Sequence, residues 1–180
     1  RFQLFLARLM HPSIILRILG ILLMLFSCIM LIPLTMALIN HDGAGGGFLT
    51  AFFITLIGGF LMWLPARGSR QELRVRDGFL ITVLFWTVLG LFGALPFALL
   101  DGANLSVTDA IFESISGLTT TGATVITGLD DWPRSLLLYR QLLQWLGGIG
   151  IIVVAVAILP MLGVGGMQLY QAETPGPSKD

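Results

Sequence analysis

Residues 79–162 impose the tightest constraint on this chain. Two long apolar runs there flank a short amphipathic stretch that closes on Thr119-Thr120-Thr121-Gly122-Ala123. Each run is long enough to cross a bilayer, whose hydrocarbon core takes about 20 helical residues. The stretch between them is too short and too polar to cross, so it returns to the side it came from. Backbone without helix or sheet survives at membrane depth only where it is buried in protein or lines water. A Thr/Gly strand in that position offers carbonyl oxygens to a cation that has shed its hydration shell.

Composition agrees with a membrane setting. Of 180 residues, 56% are apolar and 11% charged, against roughly 25% charged in soluble domains. Four runs reach spanning length: Ile14–Ile39, Phe48–Leu64, Phe79–Leu100 and Leu136–Leu162. The first is too long for a signal-peptide core and is read as retained. The net charge of zero gives no hint of a nucleic-acid partner. Cys28, the one cysteine, lies inside an apolar run and is read as packing. His11 and His41 stand alone at span ends. No phosphate-binding loop, Cys/His metal set or nucleophile triad is present, so no enzyme chemistry is expected.

Basic residues orient the spans. Arg1, Arg8 and Arg17 precede or enter the first, and Arg67, Arg70, Arg74 and Arg76 crowd the loop after the second. The turn near His41 and Asp42 has no Lys or Arg. The positive-inside rule puts the N-terminus and the 65–78 loop in the cytoplasm. The Thr-rich hairpin then opens from the outer face. The organisation expected is 1–78, two transmembrane helices plus a linker that reports topology and meets lipid head groups; 79–162, a span–pore helix–span unit; and 163–180, a cytoplasmic tail broken by Pro175 and Pro177. Residues 1–9 are read as an upstream extension, with Met10 as the natural start.

The re-entrant helix carries its own signals. Ser106 and Asp109 form a capping box with Asp in place of Glu. Ala110, Ile111, Ser114, Ile115 and Leu118 make an apolar face at helical spacing, and Gly117 is the expected stop. About ten residues give roughly 15 Å, half of a 30 Å hydrocarbon core. The partial negative charge at the helix C-terminus would face a cation beyond it. Asp109, Glu113 and Arg140 form a second group. They read either as a brace between the short helix and the last span or as a negative mouth that attracts cations, with Asp101, Asp130 and Asp131 adding to that field. Gln141, Gln144, Gly147, Gly148 and Gly150, with Gly90 and Gly93, read as close helix packing or as a hinge. Pro33, Pro96 and Pro160 bend or end helices.

Three segments carry a family resemblance. They are Phe79-Leu-Ile-Thr-Val-Leu-Phe-Trp-Thr-Val-Leu-Gly90, Asp109-Ala-Ile-Phe-Glu-Ser-Ile-Ser-Gly-Leu-Thr-Thr-Thr-Gly-Ala123 and Tyr139-Arg-Gln-Leu-Leu-Gln-Trp-Leu-Gly-Gly-Ile-Gly150. With the tail from Gly165 to Glu173, they closely resemble the membrane subunits of bacterial Trk potassium-uptake systems. Such proteins resemble four potassium-channel-like repeats fused in one chain, with two extra spans in front. The resemblance implies an all-α integral membrane fold, with two N-terminal transmembrane helices and one such repeat, the first. It implies that Thr120 and Thr121 supply potassium-coordinating oxygens, that Thr119 and Gly122 complete the strand, and that glycine at 122 goes with potassium preference. It further implies potassium as the transported ion and a multi-pass protein of the bacterial inner membrane. A homodimer and a cytosolic nucleotide-binding regulatory subunit are the partners it implies. The chain reads as an N-terminal fragment of such a protein. From the residues alone, two other classes stay open: a secondary transporter with a re-entrant gate, and a non-transporting membrane assembly domain.

Overall fold

Apolar character alone does not make a straight helix, and the first span shows why. The computed structural model describes residues 12–68, 75–100 and 105–161. Helix α1, Pro12–Ile29, and helix α2, Leu31–Asn40, form one apolar stretch of 29 residues, bent at Met30. Pro33 has no N–H to offer the Ile29 carbonyl one turn back, so the ladder breaks there. Met30 N–H bonds Ser27 O instead, at 3.0 Å. Of the two roles expected of Pro33, bending or ending a helix, the structure shows the bend.

A turn through His41 (φ 51°) and Gly43 (φ 83°) leads into α3, Gly45–Trp63. Helices α1 and α3 pack against each other along most of their length. Two glycines set how close they come. A Cβ on Gly20 would lie 2.7 Å from Gly59 O, and one on Gly59 would lie 2.8 Å from Gly20 O. Without side chains there the two backbones touch, the small-residue packing typical of membrane helices.

Helix α4 is Val75–Gly93, and a short α5, Leu95–Ala98, follows a break at Ala94. Pro96 sits in the first turn of α5, where its missing N–H costs nothing. Helix α6, Val107–Leu118, is the short re-entrant candidate, and α7, Arg134–Met161, is the long closing helix. All regular structure among the described residues is helical. Three stretches, Pro12–Asn40, Gly45–Ala66 and Leu80–Ala98, are long and apolar enough to cross a membrane. The helices converge on one core. Leu23, Phe26 and Met30 of the first span meet Phe48, Leu89, Phe97, Leu118 and Tyr139 there.

Tyr139 closes that core with a polar bond. Its hydroxyl donates to Gly93 O at 3.0 Å, at the point where α4 ends. Phe48 and Phe97 each approach its ring with centroids at 5.5 Å. On the face bearing the 41–44 turn, Asp42 accepts from Ser135 N–H at 3.0 Å and Ala44 N–H at 3.2 Å. It thereby caps the first turn of α7 from 93 residues away. Burial raises the Asp42 carboxyl, but its hydrogen bonds from Ser135 and Ala44 outweigh it. The net result lies below the ordinary 3.8.

Two expectations about α6 need correction. Gly117 does not stop the helix, which runs through Leu118 and caps at Thr119. Its missing side chain serves packing instead, since a Cβ would come within 3.0 Å of Leu143 Cβ on α7. The buried face is also less apolar than the spacing suggested. Ile115 is exposed, whereas Glu113, Ser114 and Ser116 are buried beside Ala110 and Leu118. Cys28 is exposed on the outside of α1 and does not pack in the core. Arg67 is exposed just past the 3-10 turn Leu64–Ala66. Arg1, Arg8, Met10, His11, Arg70, Arg74, Asp101 and the tail from 163 lie outside the described residues.

Candidate functional site

The site begins with a well-capped short helix. Ser106 Oγ accepts from Asp109 N–H at 3.1 Å, and the Asp109 carboxylate accepts from Ser106 N–H, also at 3.1 Å. This is the reciprocal capping box, with Asp in the third position. Twelve residues make α6 roughly 18 Å long, more than half of a 30 Å hydrocarbon core.

Its C-terminus unwinds into an irregular strand held by its own last carbonyls. Thr119 N–H bonds Ile115 O at 2.8 Å, Thr120 N–H bonds Gly117 O at 2.9 Å, and Thr121 N–H bonds Ser116 O at 3.0 Å. Gly122 N–H shares Ser116 O at 3.3 Å. Two residues take left-handed backbone angles: Thr120 at φ 57° and Gly122 at φ 73°. Glycine adopts that region freely. A β-branched residue there is an outlier, at a cost of roughly 1–2 kcal/mol. Such strain persists where the surroundings over-determine it, and it gathers at functional sites. Thr119 and Thr121 join their hydroxyls at 2.8 Å. Thr119 through Val125 are exposed, and Ile126 returns to the interior.

The Asp109, Glu113 and Arg140 group divides in two. Asp109 is spent on the helix cap with Ser106. Glu113 and Arg140 do meet. Arg140 Nε donates to Glu113 Oε2 at 2.9 Å, with Glu113 only 1% and Arg140 8% exposed. A carboxylate so buried and neutralised is not a charge at a mouth. It braces α6 against α7. Its other oxygen, Oε1, accepts from Thr124 Oγ1 at 2.6 Å and Val125 N–H at 2.7 Å. Asp130 and Asp131 lie in the 3-10 turn Leu129–Asp131, both exposed.

Close packing positions α6 against α7. A Cβ on Gly147 would overlap the Leu118 carbonyl, so only glycine allows this approach. Gly150 faces Phe85 and Trp86, while Gly148 has open space around it. Gln144 Nε2 lies 3.8 Å from where a Gly122 Cβ would stand, so this amide backs the strand. Gln141 is exposed.

Sequence reasoning passed over Ser116 and Thr124. Ser116 Oγ donates to Ala123 O at 2.6 Å. Its signal was available: it lies three residues after Glu113, hence on the same helix face.

The fold is all-helical among the described residues, with three stretches long and apolar enough to cross a membrane and a short capped helix leading into a strained Thr/Gly strand. Comparison narrows this. The model for "TrkH: Cation transport protein" matches residues 45–180. The Trk system potassium uptake protein TrkH of Vibrio parahaemolyticus is 63% identical over 166 residues, 92% of this chain and 34% of its own length. That of Escherichia coli is 61% identical over 171 residues, 95% of this chain and 35% of its own. The crystal structure of the potassium transporter TrkH from Vibrio parahaemolyticus superposes with a TM-score of 0.82 at 60% identity. That match covers 91% of this chain and 35% of the transporter. The chain belongs to the TrkH family of cation transport proteins. It spans about a third of the length of these relatives.

Proposed function

We propose that this chain forms one span–pore helix–span wall of a potassium-uptake pathway. Helices α4 and α7 are the spans, α6 is the pore helix, and residues 119–122 are the filter strand. Potassium is the transported substrate. Main-chain oxygens near Thr120 and Thr121, with Thr119 and Gly122, replace its hydration water. The observation that carries this reading is the left-handed Thr120 at the end of α6, strain held in place by the helix's own carbonyls and by Glu113. A plain surface turn would have no reason to keep a β-branched residue there. The relatives named as potassium uptake proteins support the choice of ion. The complete protein sits in the bacterial inner membrane with its N-terminus and the 65–78 loop on the cytoplasmic side, where the basic residues cluster. It works as a homodimer with a cytosolic nucleotide-binding regulatory subunit.

The test is potassium uptake by the full-length transporter in cells with no other potassium-uptake route. Gly122→Ser should weaken discrimination against sodium and raise the potassium needed for growth. Growth and ion preference indistinguishable from the parent would contradict the assignment.

A further inference from the structure

The hydrogen bonds around Glu113 reach further than the neutralisation of Arg140. The two carboxylate oxygens have separate partners. Oε2 takes Arg140 Nε at 2.9 Å. Oε1 takes the Thr124 hydroxyl at 2.6 Å and the Val125 N–H at 2.7 Å. An ion pair serving only to join two helices would need neither strand bond. Thr124 passes the constraint on, because its Oγ1 also accepts from Ile126 N–H at 3.0 Å.

One turn along the same face, Ser116 holds the strand from the other side. Its carbonyl takes Thr121 N–H and Gly122 N–H, at 3.0 and 3.3 Å. Its hydroxyl donates to Ala123 O at 2.6 Å. Glu113 and Ser116 together contact every residue from Thr121 to Val125. The Ala123 carbonyl is thereby turned toward α6, so the run of oxygens free to face an ion stops at Gly122.

From this geometry we infer that Glu113 and Ser116, acting through Thr124 and Ala123, are positioning residues that set how well the strand discriminates between alkali cations. The inference rests on the filter reading of residues 119–122. Neither side chain needs to touch the ion. Their effect is on the spacing of oxygens that do. Hydrogen bonds to a charged carboxylate, like those from Thr124 and Val125, are short and strong, and a strand without regular ladder bonds has few other restraints. Glu113 also has a purely structural duty toward Arg140, so its own substitution mixes two effects. Thr124 and Ser116 separate them, since changing either leaves the ion pair intact.

The experiment uses the full-length transporter, purified, reconstituted in liposomes and assayed for rubidium and sodium flux. Thr124→Val and Ser116→Ala should each lower the rubidium-to-sodium flux ratio, by about three- to tenfold for one lost hydrogen bond. Thr124→Ser should keep the parental ratio. Parental ratios in both Thr124→Val and Ser116→Ala would overturn the inference and reduce Glu113 to the counter-ion of Arg140. Gly122→Ser, run in parallel, tells the two failures apart. If it lowers the ratio while the Thr124 and Ser116 variants do not, only the positioning role falls. If it too leaves the ratio unchanged, the filter reading falls with it.

Discussion

The two halves of the molecule solve helix association by opposite means. The α1–α3 pair relies mainly on close contact, with one weak polar link from Thr55 Oγ1 to Met30 Sδ at 3.9 Å. Gly20 and Gly59 bring bare backbones together, and the neighbouring bulk is Leu23, Phe26 and Phe48. The α4–α6–α7 unit is built around buried polar bonds. Glu113 meets Arg140, Thr124 and Val125, and Tyr139 holds the Gly93 carbonyl. Lipid tails are as apolar as leucine, so packing of small residues suffices where a hairpin only has to stay together. Polar groups at membrane depth are costly and go with function. The contrast thus separates a pair held by close backbone contact from a unit whose geometry is fixed by polar bonds.

Four substitutions can break or sharpen that contrast. The largest effect is expected at Arg140. Arg140→Ala leaves Glu113 buried without its counter-charge, at about 3–5 kcal/mol. The folded fraction of solubilised full-length protein should fall sharply in a denaturation series. The double variant Glu113→Ala with Arg140→Ala should lose less than the sum of the singles, which a double-mutant cycle would measure. Next comes Gly59→Leu. The added side chain meets Gly20 O and Met24, and overpacking of this kind costs about 1–3 kcal/mol. Protein yield should drop while the ion preference of the surviving molecules stays parental. A changed preference would show that the two halves are not independent.

Thr120→Gly runs the other way. It relieves a left-handed threonine, worth about 1–2 kcal/mol, so thermal stability should hold or rise while ion discrimination falls. A loss of stability would mean that the Thr120 side chain contributes more than its backbone strain costs. The smallest effect is at Asp42. Its folded pKa is depressed, so its contribution is present above about pH 4 and is lost as pH falls through the lower folded value. Asp42→Asn should cost under about 1 kcal/mol at neutral pH. It should also flatten the dependence of stability on pH below about 4, read by unfolding at a series of acidic pH values.

How much of this was legible in the sequence depended on whether its cause was local. The capping box at Ser106 and Asp109 needs only two residues three apart, and the structure forms it as read. The edges of the first three spans followed from where polarity begins, within about three residues: the third, expected over Phe79–Leu100, is Leu80–Ala98. The bend at Met30 was written in Pro33, which was read as bending or ending a helix; the structure takes the first of these. Gly117 misled because a glycine near a helix end looks the same whether it terminates the helix or admits a neighbour. Only the approach of Leu143 decides. The grouping of Asp109 with Arg140 failed for a related reason. Helical spacing puts Asp109 and Glu113 on one side, but the N-cap claims the first carboxylate before α7 can reach it. Asp42 capping α7 had no local signal, since its partner is 93 residues away.

The central claim is that main-chain oxygens around Thr120 and Thr121 hold a dehydrated cation. The most direct measurement is an anomalous-scattering map of crystals of the full-length transporter grown in rubidium. The account expects a rubidium peak within coordinating distance of the Thr120 and Thr121 carbonyls. A map with ordered rubidium elsewhere and none beside this strand, or a strand turned toward lipid, would contradict it.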